Sequence, residues 1–307
     1  MEIQAQAASD NPGQPITING QTYILDRELA TTVLNRVCLA LDSDGQKVVI
    51  KISTSPRGDP SNVESYRLSS LYPHVFRHAR LPRMRYRDLR YVVVDYVQGS
   101  PLTDHIATIT ISQIHSLMSS LAPHVDTLRS HDMAHRDIKP PNVILEDSPS
   151  NLRPDTVRLI DYDLLVRVDD ISRYSPRVYG TPFYIPPEYC SGNLHRNNDI
   201  YALGMVGFVL LPPSCSSSIY RNPKVISGSF PPYAIMGSKV NGRFFLPDAP
   251  KKLEESLVPQ VIDCERRKLR ALLNFLFSCV KDSPQDRPAT LHEMRQMLDD
   301  TGNITEL

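Results

Sequence analysis

AHRDIKPPNVIL, residues 134–145, gathers an acid, a cation and a carboxamide within one short stretch: Asp137, Lys139 and Asn142. A His-Arg-Asp tripeptide alone is common in loops. The Lys and Asn at their offsets from Asp137 make this one a candidate site. Reading outward, VRLIDYD (157–163) is an apolar strand that ends in Asp161. An isolated Asp at a strand end is more often a turn residue; one that follows such a loop is a candidate ligand. The stretch between them, EDSPSNLRPDT (146–156), reads as a plain loop. Upstream, KVVIKIS (47–53) sets Lys51 among Val49, Ile50 and Ile52. A lone Lys on a strand is usually a solvated edge charge, but this strand should be central.

The rest of the chain has a two-part pattern. Residues 1 to 16 read as a flexible arm. From Ile16 the pattern is β-like, ITINGQTYIL and then NRVCLALDSDGQKVVIKIS, with Asp44-Gly45 as a hairpin signal. A short helix is expected over about 61–71, then strands in RMRYRD and RYVVVDYV. Gly99-Ser100-Pro101 breaks the chain. Beyond it, Ile111, Ile114, Met118, Leu121, Val125 and Leu128 form one helical stripe. IYALGMVGFVLL (200–211) is apolar all round, as a helix inside a core should be. Leu269, Leu272, Leu273 and Leu276 mark another helix, LHEMRQML a last one, and 212–250 a long surface excursion. A β-rich small part followed by a helical large part is an α+β arrangement. The expected divisions are 1–16, 17–98, 99–300 and a tail at 301–307.

Composition narrows the function classes. The 307 residues carry no formal net charge, so no global field draws the chain to nucleic acid or membrane. The five cysteines (Cys38, Cys190, Cys215, Cys264, Cys279) include no C-x-x-C pair. That argues against a disulfide framework or a zinc site and fits a reducing compartment, the cytoplasm or nucleus. MEIQAQAASDNPGQP has no apolar core of a secretory signal, and no run approaches the ~18 apolar residues of a membrane span.

The segment 134–145 resembles the catalytic loop of eukaryotic protein kinases, H-R-D-x-K-x-x-N. The resemblance implies that Asp137 accepts the hydroxyl proton, Lys139 neutralises the moving phosphoryl and Asn142 holds magnesium. Such a reaction is carried mainly by positioning and by cations facing phosphoryl charge. VRLIDYD resembles the strand that ends in the metal-binding D-F-G, with Asp161 as ligand, Tyr162 in the Phe place and Asp163 in the Gly place. A register with Asp163 as the ligand fits the preceding strand less well. KVVIKIS resembles V-A-I-K, with Lys51 gripping the α- and β-phosphates and Glu64 in SNVESYRLSSLYPH as its partner. Against that partner, an exposed helix charge is the plain alternative, since 51 to 64 is a short spacing. The resemblance also assigns Leu29, Val37, Val49, Asp95, Val97 and Ile144 to the nucleotide. GTPFYIPPEY (180–189) resembles G-T-x-x-Y-x-A-P-E, NNDIYALG supplies Asp199 of D-x-x-x-L-G, and DSPQDRP supplies Arg287 as the partner of Glu188.

The whole covers residues 20 to 300 and implies a two-lobed kinase fold. It implies transfer of the ATP γ-phosphoryl, with Mg2+, to Ser or Thr of protein substrates. The Ser/Thr branch is indicated by Lys139 and by the Gly-Thr-Pro setting of Thr181. A pseudokinase scaffold and a small-molecule phosphotransferase are the alternatives. Four separate catalytic groups oppose the first, and Glu188 with Arg287 oppose the second.

Three features depart from the pattern: the phosphate loop together with Val49, Asp163 in the Gly place, where it adds a negative charge beside the expected metal site, and the activation segment. ATTVLN (30–35) puts Ala30, Thr32 and Asn35 at the three glycine places of the phosphate loop, which predicts a poorer clamp. Val49 stands where Ala is usual. Arg136 is of the kind that docks an activation-segment phosphate, yet Arg177 occupies the usual phosphosite; Ser172, Tyr174 and Ser175 lie nearby. Finally, Arg77, Arg80, Arg83, Arg85, Arg87 and Arg90 could dock an acidic partner or nucleic acid. Their alternation with Met84 and Tyr86 reads more simply as the solvated face of a half-buried strand.

Overall fold

The computed structural model describes residues 12–31, 35–54, 62–88, 90–169, 178–212 and 263–299, and positions 252, 255 and 257. At 62–66 and 263–265 it describes backbone only. The chain forms two compact units. One holds residues up to Phe76 together with Leu81–Gln98; the other holds Arg77–Arg80 and everything from Gly99. The expected surface excursion lies, from 213 to 250, outside the described residues.

The first unit is built on a six-stranded antiparallel sheet in the order β1-β2-β3-β4-β6-β5. The strands are β1 (Pro15–Ile18), β2 (Gln21–Thr31), β3 (Asn35–Leu41), β4 (Lys47–Ser53), β5 (Met84–Arg87) and β6 (Tyr91–Asp95). Pairing starts before the expected end of the arm, with the Gly13 N–H donating to the Leu25 carbonyl at 2.7 Å. The reason is Asn19-Gly20. Both residues have positive φ, 50° and 76°, as a two-residue hairpin turn matched to the strand twist requires. At the β3–β4 turn, the Asp42 carboxylate accepts from the Asp44 and Gln46 N–H groups at 2.9 and 2.8 Å. Alternation then sorts the side chains. Ile16, Ile18, Cys38, Ala40, Ile50 and Val93 build the core on one face. The register pairs Val37 with Lys51, Leu39 with Val49 and Lys51 with Val92, so these lie together on the opposite face. Helices α1 (Asn62–Leu71) and α2 (Pro73–His78) follow β4.

Half of the basic run is paired with acids or buried. Arg85 bonds the carboxylates of Asp42, at 2.5 Å, and Asp95, and Arg87 is buried in β5 rather than solvated. Arg80 and Arg158, both in the second unit, share Glu146 at 3.2 and 2.7 Å. Of the six arginines in the run, Arg80, Arg85 and Arg87 therefore already have acids or burial, while Arg77, Arg83 and Arg90 are exposed.

The second unit is organised by α3 (Ile111–Ser130). Thr110 starts it with a reciprocal cap: its hydroxyl accepts from the Gln113 N–H, and the Gln113 side chain accepts from the Thr110 N–H. All six residues of the expected apolar stripe are buried. At about 1.5–3 kcal/mol for each large apolar side chain, that stripe contributes on the order of 10 kcal/mol before chain entropy is counted. Helices α4 (Pro187–Cys190), α5 (Asn198–Leu210), α6 (Asp263–Cys279) and α7 (Leu291–Asp299) complete the described helical part. Helix α5 is buried on every side, as its uninterrupted apolar sequence demands, and packs against α3 and α6. Short strands carry the loops of interest: β7 (Ser100–Pro101), β9 (Val143–Leu145) and β10 (Val157–Leu159) form one sheet, and β8 (Met133–Ala134) pairs with β11 (Val166–Arg167).

Candidate active site

Asp137, Lys139 and Asn142 lie on the loop between β8 and β9, and that loop folds onto the Asp137 carboxylate. Oδ1 accepts from the Thr181 hydroxyl at 2.6 Å and from the Thr181 N–H at 3.1 Å. Oδ2 faces the Lys139 ammonium at 2.7 Å and accepts from the Asn142 amide at 3.1 Å. The same amide nitrogen donates to the Asp137 carbonyl at 2.8 Å, and Lys139 also donates to the Thr181 hydroxyl at 2.9 Å. A charged carboxylate this buried needs such partners. A hydroxyl therefore sits between an acid and an ammonium. Burial first, and then the Asp137 charge, push the Tyr184 phenol up.

Asp161 is brought to this loop by strand pairing. β9 and β10 are antiparallel with Leu159 opposite Val143, and the Ile160 N–H donates to the Asn142 carbonyl at 2.9 Å. Asp161 follows directly, with φ at +61°, a left-handed conformation that Asp tolerates better than most residues. Tyr162 is buried next to it. Magnesium suits this donor set. The Asn142 side chain spends its N–H groups on Asp137, and among the described residues no hydrogen bond uses its carbonyl oxygen. Oxygen ligands from a carboxylate and an amide carbonyl are what a hard divalent cation takes.

The loop is fixed from below and behind. The Asp199 carboxylate, at the start of α5, accepts from the His135 and Arg136 N–H groups at 2.5 and 3.0 Å. Glu188 on α4 forms a two-point ion pair with Arg287 at 2.6 and 2.7 Å. Gly180 has φ +120°, and a Cβ there would lie 2.4 Å from the Arg136 carbonyl, so only glycine lets the segment reach Thr181.

In the first unit, Lys51 is buried on the sheet face it shares with Val37 and Val49, the face opposite the core. Leu29 is exposed on β2. The Asp95 side chain lies on the other face and is held by Arg85, so any nucleotide contact of Asp95 would use its backbone. Val97 follows β6, and Ile144 sits on β9 in the second unit. Glu64 lies on α1, with its side chain outside the described residues, as are Thr32, Ser172, Tyr174, Ser175 and Arg177. Around the phosphate-loop position, Glu28 is bonded by Thr31 and by Arg36, the latter at 3.1 Å. The sequence reading did not single out Tyr189 or Tyr179, which meet Arg136; no local pattern marks a contact made across 53 residues.

The model of the protein kinase domain matches residues 36–299. The chain belongs to the protein kinase domain family. This kinase domain is 36% identical over 38% of its length to serine/threonine-protein kinase D of Synechocystis sp.. It is 29% identical over 62% of its length to serine/threonine-protein kinase Nek1 of Mus musculus. It is 24% identical over 71% to the probable serine/threonine-protein kinase PknB of Lactococcus lactis. The matched stretches make up only 23%, 16% and 30% of those proteins. The family acts on ATP. Among the described residues, no helix of this kinase domain is long and apolar enough to cross a membrane.

Proposed function

We propose that this kinase domain transfers the γ-phosphoryl of ATP to serine or threonine hydroxyls of proteins. The observation that carries the reading is the Asp137 carboxylate, which binds a threonine hydroxyl at 2.6 Å beside the Lys139 ammonium. The names of the relatives, all serine/threonine kinases, agree with it. In this reading the substrate oxygen displaces ADP from the γ-phosphorus: a new O–P bond forms, the bond to the β-phosphate oxygen breaks, and the hydroxyl proton passes to Asp137. Lys139 faces the charge that spreads over the phosphoryl oxygens. Asn142 and Asp161 would hold Mg2+, which supplies charge neutralisation for the polyphosphate when bound. Lys51, with Glu64 as partner, would hold the α- and β-phosphates. Leu29, Val37, Val49 and Ile144 would hold the base, with backbone of Asp95 and Val97.

The test is transfer of labelled phosphate from ATP to a generic basic protein, with identification of the modified residues. Transfer to serine or threonine is expected; no transfer by the purified chain with ATP and magnesium would overturn the reading. The metal assignment has its own readout. ATP with magnesium should raise the melting temperature of the wild type, and ATP with a chelator should raise it much less. Asp161→Ala should lose the magnesium-dependent part of that shift. Equal shifts with magnesium and chelator in the wild type would refute the metal role and favour a scaffold.

A further inference from the structure

Arg136 stands immediately before Asp137 with φ at +68°, a conformation that is rare for a long side chain and persists only where surroundings over-determine it. Its backbone N–H is held by Asp199. Its side chain is buried and has three partners among the described residues. Nε donates to the Leu164 carbonyl at 2.5 Å, Nη1 donates to the Tyr189 hydroxyl at 3.0 Å, and the guanidinium lies over the Tyr179 ring, 5.3 Å from its centre. The Tyr189 hydroxyl accepts a second hydrogen bond, from the Tyr179 N–H at 3.3 Å. Tyr189 is itself buried, on α4, next to the Glu188 that Arg287 holds. Thus, among the described residues, two neutral oxygens and a ring face hold this cation, and no carboxylate takes part.

We infer that Tyr189 is a positioning residue for the proposed phosphotransfer: its hydroxyl fixes Arg136, and through the Arg136 backbone Asp137, without a phosphate on the chain. The physical argument is geometric. A guanidinium has rigid forked donors, so holding Nε and Nη1 on two fixed oxygens sets its orientation. The left-handed backbone of Arg136 passes that orientation to the next residue. The acceptors come from two segments, Leu164 after the Asp161 turn and Tyr189 on α4. Arg136 therefore joins the catalytic loop to both ends of the segment that contains Thr181. A hydrogen bond to a charged group is among the stronger kinds, and its loss here would loosen the loop rather than unfold the core.

The activity arm of the test rests on the kinase reading; the exchange arm does not. The full chain and its Tyr189→Phe variant are treated with phosphatase, then compared by steady-state kinetics and by amide hydrogen exchange. In the variant, kcat should fall about fivefold or more with the KM for ATP within twofold. Amides of residues 134–139 should exchange at least about tenfold faster, while those of α3 and α6 keep their protection. In an Arg136→Gln background, Tyr189→Phe should change kcat by less than twofold, because its target is already gone. Unchanged exchange at 134–139 in Tyr189→Phe overturns the inference whatever the activity. So does a wild type that loses its turnover on phosphatase treatment and regains it on rephosphorylation. If the wild type transfers no phosphate in either state, the kinase reading fails, and exchange alone decides the role of Tyr189.

Discussion

Asp137→Asn should lower kcat by about a hundredfold or more while leaving the KM for ATP within roughly threefold, the signature of a lost, positioned base. The substitution keeps the shape of the side chain. It removes the one basic oxygen pair in the loop and replaces an acceptor by a donor. With Oδ1 retained, the bonds from the Thr181 hydroxyl and N–H survive. The other position then sets an NH2 group against the Lys139 ammonium and the Asn142 amide, two donors that now lack their acceptor. Lys139 keeps the Thr181 hydroxyl as a partner and Asn142 keeps the Asp137 carbonyl, so the loop should hold its path. The measurement is a steady-state titration of ATP and of protein substrate, paired with a melting curve to establish that the variant is folded. Turnover at the wild-type rate would mean that another group takes the proton. The assignment of Asp137 would then be wrong even if the chain remains a kinase.

What the sequence revealed depended on range. The stripe of Ile114, Met118, Leu121 and Leu128 is visible because helical burial repeats within one element, and each of these residues is buried in α3. Val37, Val49 and Lys51 share a sheet face because alternation fixes faces once the β3–β4 hairpin is placed, and Asp44-Gly45 places it. The Asn19-Gly20 turn was equally available and extends ordered pairing to Pro15, ahead of the expected arm boundary. Alternation alone did not reveal which side chains engage. The alternation of Arg85 and Arg87 with Met84 and Tyr86 is the same whether the arginines meet water or acids. Only the arrival of Asp42 from the β3–β4 turn and Asp95 from β6 decides it. Tyr189 is the sharper case. In the sequence it is one aromatic beside a Pro-Glu pair; in the fold its hydroxyl receives Arg136 from a loop far upstream. The candidate loop itself was legible because Asp137, Lys139 and Asn142 lie within one short stretch. Its supports at Thr181, Asp199 and Tyr189 come from three later segments.

Arg287→Ala should destabilise the second unit by about 3–5 kcal/mol, the usual consequence of stranding one member of a buried ion pair. The Arg287 side chain is fully buried. Every one of its N–H groups has an acceptor: Nε meets the Lys281 carbonyl at 2.9 Å, Nη1 meets Glu188 and the Asn197 carbonyl, and Nη2 meets Glu188 and the Asp282 carbonyl. Its guanidinium also lies 5.1 Å from the centre of the Tyr201 ring, and burial pushes that phenol up. Alanine leaves Glu188 charged in a largely closed site, exposes three carbonyls to no donor, and opens a void beside Tyr201. At roughly 2–4 °C per kcal/mol for a unit of 150–250 residues, the melting temperature should fall by about 6–20 °C. Arg287→Lys separates charge from geometry. An ammonium restores the charge, but it is a point donor that cannot span two carboxylate oxygens and the surrounding carbonyls together. Lysine should therefore recover only part of the loss. A melting curve for Arg287→Ala within about 2 °C of the wild type would show that the pair is not a support of the fold. Full recovery by lysine would show that charge alone matters and that the two-point geometry does not. Since α4 carries Glu188 and Tyr189 side by side, the same variant should also raise amide exchange at 134–139, a consequence of losing the anchor beneath Arg136 rather than of any direct contact with Asp137.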